Sequence, residues 1–169
     1  MAYNWITEGG STATSASAHL SDDQTQTIAV VNTPQAVEFN THDDVPIGIT
    51  HSNVTDISEI YFDSVGRYGL TLSLEVHNGS GGGELYAWME HTTDSGATWL
   101  TVANSAVVDS LSANTENVLI LVELFDAVGV GCGIRFLIEG DSTGLELDHR
   151  AAVGNRPAVP SAMLSIHKV

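Results

Sequence analysis

The sequence predicts an all-β protein, a sandwich or barrel of about eight to ten antiparallel strands. Residues 67–77 alternate apolar and polar side chains without interruption, and short runs rich in β-branched and aromatic residues recur between turn residues along the chain. No segment shows a convincing helical period. A chain of 169 residues is long enough for one well-packed core. We therefore predict one β domain over residues 24–169, preceded by an extended N-terminal arm over residues 1–23.

The arm is predicted from its composition. Residues 9–18 contain only Gly, Ser, Thr and Ala, which is too little apolar bulk to fold alone. Larger side chains precede this spacer at Tyr3, Trp5 and Ile6. Either the segment is a frayed terminus, or it becomes ordered on a neighbouring protein with these three side chains as anchors.

The domain begins with short strands and then a long central one. Residues 28–31 and 36–39 predict two short strands around a turn at Asn32-Thr-Pro34, and residues 47–53 and 59–62 predict further extended segments. In the central strand, residues 67–77, one face is entirely apolar and should lie against the core. That face consists of Tyr68, Leu70, Leu72, Leu74 and Val76.

A second series of strands follows a glycine tract. These are residues 84–91, 98–102, 107–111, 117–125, 131–138, 145–149 and 161–169. The strand at 117–125 is apolar on both faces, which predicts burial of both. One face carries Val118, Ile120, Val122 and Leu124, and the other carries Leu119, Leu121 and Phe125. Because a sandwich has one interior, the second face needs a cover, either a neighbouring subunit about a symmetry axis or an overlying loop.

Charge and composition exclude several classes of function. The net charge of −16 repels phosphate backbones and anionic headgroups, so we expect no binding to nucleic acid or membranes. No run approaches the roughly 18 apolar residues of a membrane span, and the start of the chain does not resemble a signal peptide. We expect a soluble protein that is not conventionally exported. Cys132 is the single cysteine and predicts a buried small hydrophobe rather than a disulfide.

Two motifs resemble catalytic or binding motifs but lack the required context. Gly140-Asp-Ser-Thr-Gly144 matches G-x-S-x-G, yet a strand follows it where a nucleophile elbow needs a helix, so we interpret it as a hairpin turn. His42-Asp-Asp44 and Asp148-His149 place neighbouring side chains on opposite sides of a strand, which disfavours metal binding. We predict no enzymatic activity, no metal and no cofactor. Tyr86 and Trp88 fit either a carbohydrate-stacking platform or packing, and we favour packing.

Several segments together carry a family resemblance. Gly66-Arg-Tyr-Gly69 leads into the long strand, Gly133-Ile-Arg-Phe136 begins another, and the chain ends in Pro157-Ala-Val-Pro-Ser-Ala-Met-Leu-Ser-Ile-His-Lys-Val169. Over roughly residues 27–169 this order resembles the trimeric jelly rolls of the tumour necrosis factor and complement globular-head type. The nearest similarity is to bacteriophage head-decoration and fibre proteins with that fold. The family's usual disulfides and receptor loops have no counterpart, which argues against a cytokine role.

The resemblance implies a homotrimeric jelly roll with a structural role in a virion. We expect a decoration (cement) protein, made in the host cytoplasm, that binds the major capsid protein on the outside of a phage head. The alternative is a receptor- or glycan-binding tip of a head or tail fibre. The residues predicted for the trimer interface are Leu119, Leu121, Phe125, Tyr86 and Trp88, and those predicted for capsid docking are Tyr3, Trp5 and Ile6.

Overall fold

Two antiparallel sheets packed face to face make up residues 15–169, the part of the chain that the computed structural model describes. The strands are β1 (Ser17–Asp22), β2 (Gln26–Thr27), β3 (Gln35–Ala36), β4 (Thr41–His42), β5 (Ile49–His51), β6 (Ile60–Phe62), β7 (Gly66–Asn78), β8 (Gly83–Thr92), β9 (Leu100–Thr101), β10 (Val107–Leu111), β11 (Thr115–Ala127), β12 (Gly133–Gly140), β13 (Leu145–Leu147) and β14 (Ala162–Lys168). Ten of them have three residues or more, in agreement with the predicted number. Residues 15–169 contain no helix and therefore none that could cross a membrane.

The first sheet is built around the predicted central strand. β7 pairs with β11 along its whole length on one side, and with β14 and β13 on the other. The order continues from β14 to β1 and β4. All five apolar side chains of the alternating run are at most 1% exposed, so this prediction is confirmed: Tyr68, Leu70, Leu72, Leu74 and Val76.

The second sheet has the order β10-β8-β12-β6-β5, with β3 beside β12 and β9 beside β8. Consecutive long strands alternate between the sheets: β7 lies in the first, β8 in the second, β11 in the first, β12 in the second and β14 in the first. This alternation is jelly-roll connectivity, and the predicted fold class is confirmed. The core lies between the sheets, where Phe39, Met89 and Phe136 are fully buried.

The start of the domain differs from the prediction. Residues 17–22, which we assigned to the arm, form β1 and pair antiparallel with β14 over six residues. Leu20 is fully buried there. Composition did not predict this strand because the preceding residues are all small and because its partner, β14, lies at the opposite end of the chain. The predicted strand at 28–31 is also wrong, since Val30 and Val31 are exposed in a turn.

Candidate functional site

The outward side of β11 is an exposed apolar row that we call the β11 stripe. Its exposed fractions run from 44% to 69%, and its members are Val118, Ile120, Val122 and Leu124. In residues 15–169, β11 pairs only with β7, so this long strand also has a free backbone edge. Long, exposed apolar edge strands invite pairing or packing with another chain.

The predicted assignment of the two faces of β11 is wrong. Leu121 is 2% exposed and Phe125 is 8% exposed, and Leu119 packs partly buried against the core. The register explains this, because Leu121 lies opposite Leu72 and Phe125 lies opposite Tyr68, both inward-facing residues of β7. These three residues therefore stabilise the subunit itself, and the surface available to a partner is the β11 stripe.

Small side chains lie next to the stripe on β7. Thr71 lies opposite Val122, and Gly69 lies opposite Leu124. The ring of His167 covers Gly69 so closely that a Cβ there would lie 2.8 Å from it. These small residues and the ring of His167 line a shallow depression of about 560 Å³ beside Val122 and Leu124. A side chain of a partner could enter this depression.

Ion pairs lie at both ends of this outward face. At one end, Arg67 donates to Asp126 at 2.8 and 2.9 Å, and this contact lowers the pKa of the Asp126 carboxyl. At the other end, Arg150 lies 2.6 Å from Glu116. All four side chains are well exposed. An apolar centre with a charged rim is the usual composition of a protein–protein interface.

The outward face of the second sheet contains a groove of about 790 Å³, here called the β8–β12 groove. Tyr86 and Trp88 of β8 line it. Leu137 of β12, which pairs with Trp88, is only 7% exposed although it points away from the core between the sheets. An ion pair crosses one end of the groove, where two nitrogens of Arg135 donate to one oxygen of Glu90, Oε2, at 2.8 and 2.6 Å.

The ion pair of the groove is held more firmly than those around the stripe. The side chains of Arg135 and Glu90 are 26% and 14% exposed, and the guanidinium lies 4.5 Å from the ring centre of Trp99. Sequence reasoning missed this cluster, since Arg135 is far along the chain from Glu90 and Trp99. Tyr86 and Trp88 lie on the opposite side of the sandwich from the β11 stripe. We predicted both residues for the trimer interface. They can contact the β11 stripe only if the groove face of one subunit meets the stripe face of its neighbour.

One end of the sandwich carries exposed valines in its loops, and we call it the loop end. Val65, Val128 and Val130 are 63%, 70% and 97% exposed there, in the loops before β7 and after β11. Ser15, the first described residue, donates to the Lys168 carbonyl at the same end. The predicted docking residues Tyr3, Trp5 and Ile6 lie outside the described residues.

The candidate catalytic and metal motifs have structural roles. Residues 140–144 form a turn between β12 and β13, in which Ser142 accepts a hydrogen bond from the backbone N–H of Gly144 at 3.2 Å. The turn is confirmed but the predicted hairpin is wrong, because β12 and β13 belong to different sheets and do not pair. No three His, Cys, Asp or Glu side chains of residues 15–169 gather closely enough to hold a metal. His42 instead bonds His51 at 2.9 Å, and burial lowers the pKa of His51.

The comparisons with known proteins identify the fold. No protein-family model and no curated protein matches the sequence. Among solved structures, murine APRIL at pH 8.0 aligns with a TM-score of 0.57 at 13% identity, over 92% of this chain and 99% of that one. The globular domain of zebrafish complement 1qA protein aligns with a TM-score of 0.55 at 14% identity, over 92% of this chain and 97% of that one.

The fold is the jelly roll of the tumour necrosis factor and complement globular-head type. The predicted resemblance is confirmed at the level of fold. Neither structure is described as viral. At 13% and 14% identity, the likeness to these two structures shows the fold alone.

Proposed function

We propose that this chain is a non-enzymatic structural protein that forms a homotrimer through the β11 stripe and decorates the outer surface of a phage head. The observation that carries the proposal is the stripe itself, four large apolar side chains on a free edge strand of the first sheet. A partner that covers these side chains would stabilise the assembly by roughly 25 cal/mol for each Å² of apolar surface buried.

A ring of identical subunits explains the asymmetry of this surface. The stripe lies at one edge of the sheet, while small side chains and the depression beside Gly69 lie next to it. Subunits that place one patch against a different patch of the next copy form a closed ring when the rotation closes. The resemblance to trimeric jelly rolls favours three copies.

Sedimentation equilibrium at micromolar concentration tests the oligomer. We expect a trimer for the native chain and a monomer for Val122→Asp, because the new carboxylate would be desolvated without a partner in the contact. Val108→Asp is the matched control, since Val108 is 51% exposed on the other sheet and should leave the trimer intact. A native chain that sediments as a monomer would refute the proposal.

The loop end is the proposed side of attachment to the capsid. Its three exposed valines offer apolar contact area, and the N-terminal segment enters the sandwich there. Tyr3, Trp5 and Ile6 remain the proposed anchors on the major capsid protein. A trimer would present three such segments together, so a weak contact per subunit would be strengthened by multivalency.

Two truncations test the attachment. Deleting residues 1–14 should leave a folded trimer that binds capsids at least tenfold more weakly. Deleting residues 1–20 should instead unfold the chain, because it removes most of β1 from its pairing with β14.

Native trimers should bind capsids stoichiometrically and raise the heat resistance of the capsids, since a ligand of the assembled state stabilises that state. Capsid binding unchanged by the 1–14 deletion would contradict the role of the segment.

The alternative function is a receptor- or glycan-binding tip of a phage fibre. The observation that favours it is the aromatic β8–β12 groove, which a cement protein does not need. A tip would bind host cells and not capsids. Cell binding that is lost in Trp88→Ala, together with no capsid association, would favour the tip over the decoration protein.

A further inference from the structure

We propose that the β8–β12 groove is a binding site for an uncharged oligosaccharide. This inference is independent of the trimer proposal, because the groove lies on the second sheet and the β11 stripe lies on the first. It deepens the alternative function given above, because it names the class of ligand that the groove would bind, and it does not depend on the decoration role. A volume of about 790 Å³ falls within the range of small-molecule sites in proteins.

Two aromatic side chains form the proposed platform. Tyr86 and Trp88 are two residues apart on β8, so they point to the same side of the sheet. Tyr86 is 40% exposed and Trp88 is half-buried. The faces of aromatic rings carry negative potential, which favours the weakly positive C–H groups on the apolar face of a sugar ring. Two neighbouring rings can therefore accept consecutive sugar units.

The floor beneath the platform is a largely buried leucine, Leu137. Leu137 pairs with Trp88 across the sheet and with Ala36 on its other side. It is 7% exposed although it faces outward and does not belong to the core cluster. Side chains from the groove walls thus cover an apolar floor without filling the space above it. A ligand would meet a formed site and would not need to open one.

Polar groups with fixed positions surround the platform. Both hydrogen bonds of Arg135 end on Oε2 of Glu90, so Oε1 of that carboxylate takes no part in the ion pair. Stacking of Arg135 on Trp99 adds a second restraint on the guanidinium. Glu139 and Asn104 line the same groove. Carboxylate and amide oxygens can accept from sugar hydroxyls, and the amide N–H groups of Asn104 can donate to them.

The charges of the groove select against acidic ligands. Glu90 and Glu139 line it, whereas its one cation, Arg135, is neutralised by Glu90. Tyr86 donates its hydroxyl to a further carboxylate, Glu84, at 2.9 Å. A sialylated or sulfated sugar would be repelled by this excess of negative charge. Sugars built from neutral hexoses and N-acetylhexosamines fit the site.

An array of oligosaccharides tests the inference with the full-length protein. The array should carry neutral oligosaccharides of hexoses and N-acetylhexosamines beside sialylated and sulfated forms of the same chains. We expect binding to neutral members and at least tenfold weaker binding to their acidic forms. Calorimetric titration with the best neutral oligosaccharide then measures the variants. No binding to any neutral member, or a preference for the acidic forms, would overturn the proposal.

Three variants locate the site. Tyr86→Ala and Trp88→Ala should each weaken binding at least tenfold, while Val108→Ala should not change it, because Val108 lies opposite Tyr86 but outside the groove. If Trp88→Ala does not fold, Tyr86→Ala decides alone, since its ring is exposed. Unchanged binding in both folded aromatic variants would refute the site. Dissociation of the trimer by either variant would instead assign the groove to a subunit interface, and the sugar site would then be rejected.

Discussion

The outward faces of the two sheets carry different kinds of side chain, although the strands of both sheets alternate in the same way. On the first sheet, the β11 stripe places four aliphatic side chains in solvent, with exposed ion pairs only at its ends. On the second sheet, aromatic side chains surround a largely buried leucine, and a half-buried ion pair crosses the groove. Aliphatic rows are stabilised mainly by another apolar surface, whereas aromatic and charged groups also interact well with polar ligands. The difference suggests a protein partner for one face and a small ligand for the other.

The largest expected effect is a difference in stability between substitutions on the two sides of β11. Leu121→Asp should destabilise the fold by about 4 kcal/mol or more, because it removes a leucine that is 2% exposed and introduces a buried charge. Val122→Asp, on the next residue, should leave the melting temperature of the isolated subunit nearly unchanged. Circular dichroism melts of the two variants measure this contrast. Similar losses in both would mean that the faces of β11 are not distinct.

The next effect concerns the ion pair of the groove. Glu90→Gln keeps the size of the side chain but leaves the half-buried guanidinium of Arg135 without its anion. We expect a loss of about 1–3 kcal/mol in the free energy of unfolding, measured by urea denaturation. The variant should also shift the fluorescence of Trp99, on which Arg135 stacks. No change in stability would show that the groove is no more rigid than the surface around it.

A smaller effect is expected where the edges of the two sheets meet. His51 of β5 bonds His42 of β4 at 2.9 Å and the Ile57 carbonyl at 3.0 Å. Burial, with a smaller contribution from the neighbouring His42, holds the pKa of His51 below its usual 6.5. The unfolded chain therefore binds this proton more readily than the folded one, so stability should fall as pH drops below about 6.5.

Denaturation at a series of pH values, for the native chain and His51→Gln, checks this dependence. The native chain should lose stability between pH 7 and 5, and His51→Gln should lose less of it over the same interval. An equal slope in the two proteins would mean that other groups cause the pH dependence.

The smallest effect is expected at the rim of the stripe. Arg67 and Asp126 are both more than half exposed, so their ion pair is well screened by solvent. Asp126→Asn should leave the melting temperature unchanged within error, in contrast to Glu90→Gln on the other face. A loss as large as that of Glu90→Gln would remove the distinction between the two faces.

The sequence predicted the features that depend on local pattern. The alternation in residues 67–77 predicted both the central strand and its buried face, and the structure confirms them. The turn at residues 140–144 was predicted because the next residues alternate as a strand. These predictions succeeded because a strand's period of two and a turn's composition are properties of neighbouring residues.

Features that depend on distant partners were not predictable in the same way. Both faces of 118–125 are apolar, so composition could not decide which one is inside. The register with β7 decided it, by placing Leu121 opposite Leu72. Residues 17–22 follow directly on the small-residue spacer and contain one large apolar side chain, Leu20, and their pairing with β14, more than a hundred residues away, makes them a strand. The contact of Arg135 with Glu90 and Trp99 likewise arises where separate strands and a loop meet.

By itself, the sequence determined that the chain folds into an all-β sandwich or barrel, because hydrophobic alternation and turn residues are encoded locally. The jelly-roll type was implied only by the family resemblance. Only the tertiary structure decided which apolar row of β11 stays in solvent and which side chains line the groove. Strand register and sheet order are set by the mutual packing of segments far apart in the chain, and a shift of one residue would exchange the two faces of every strand.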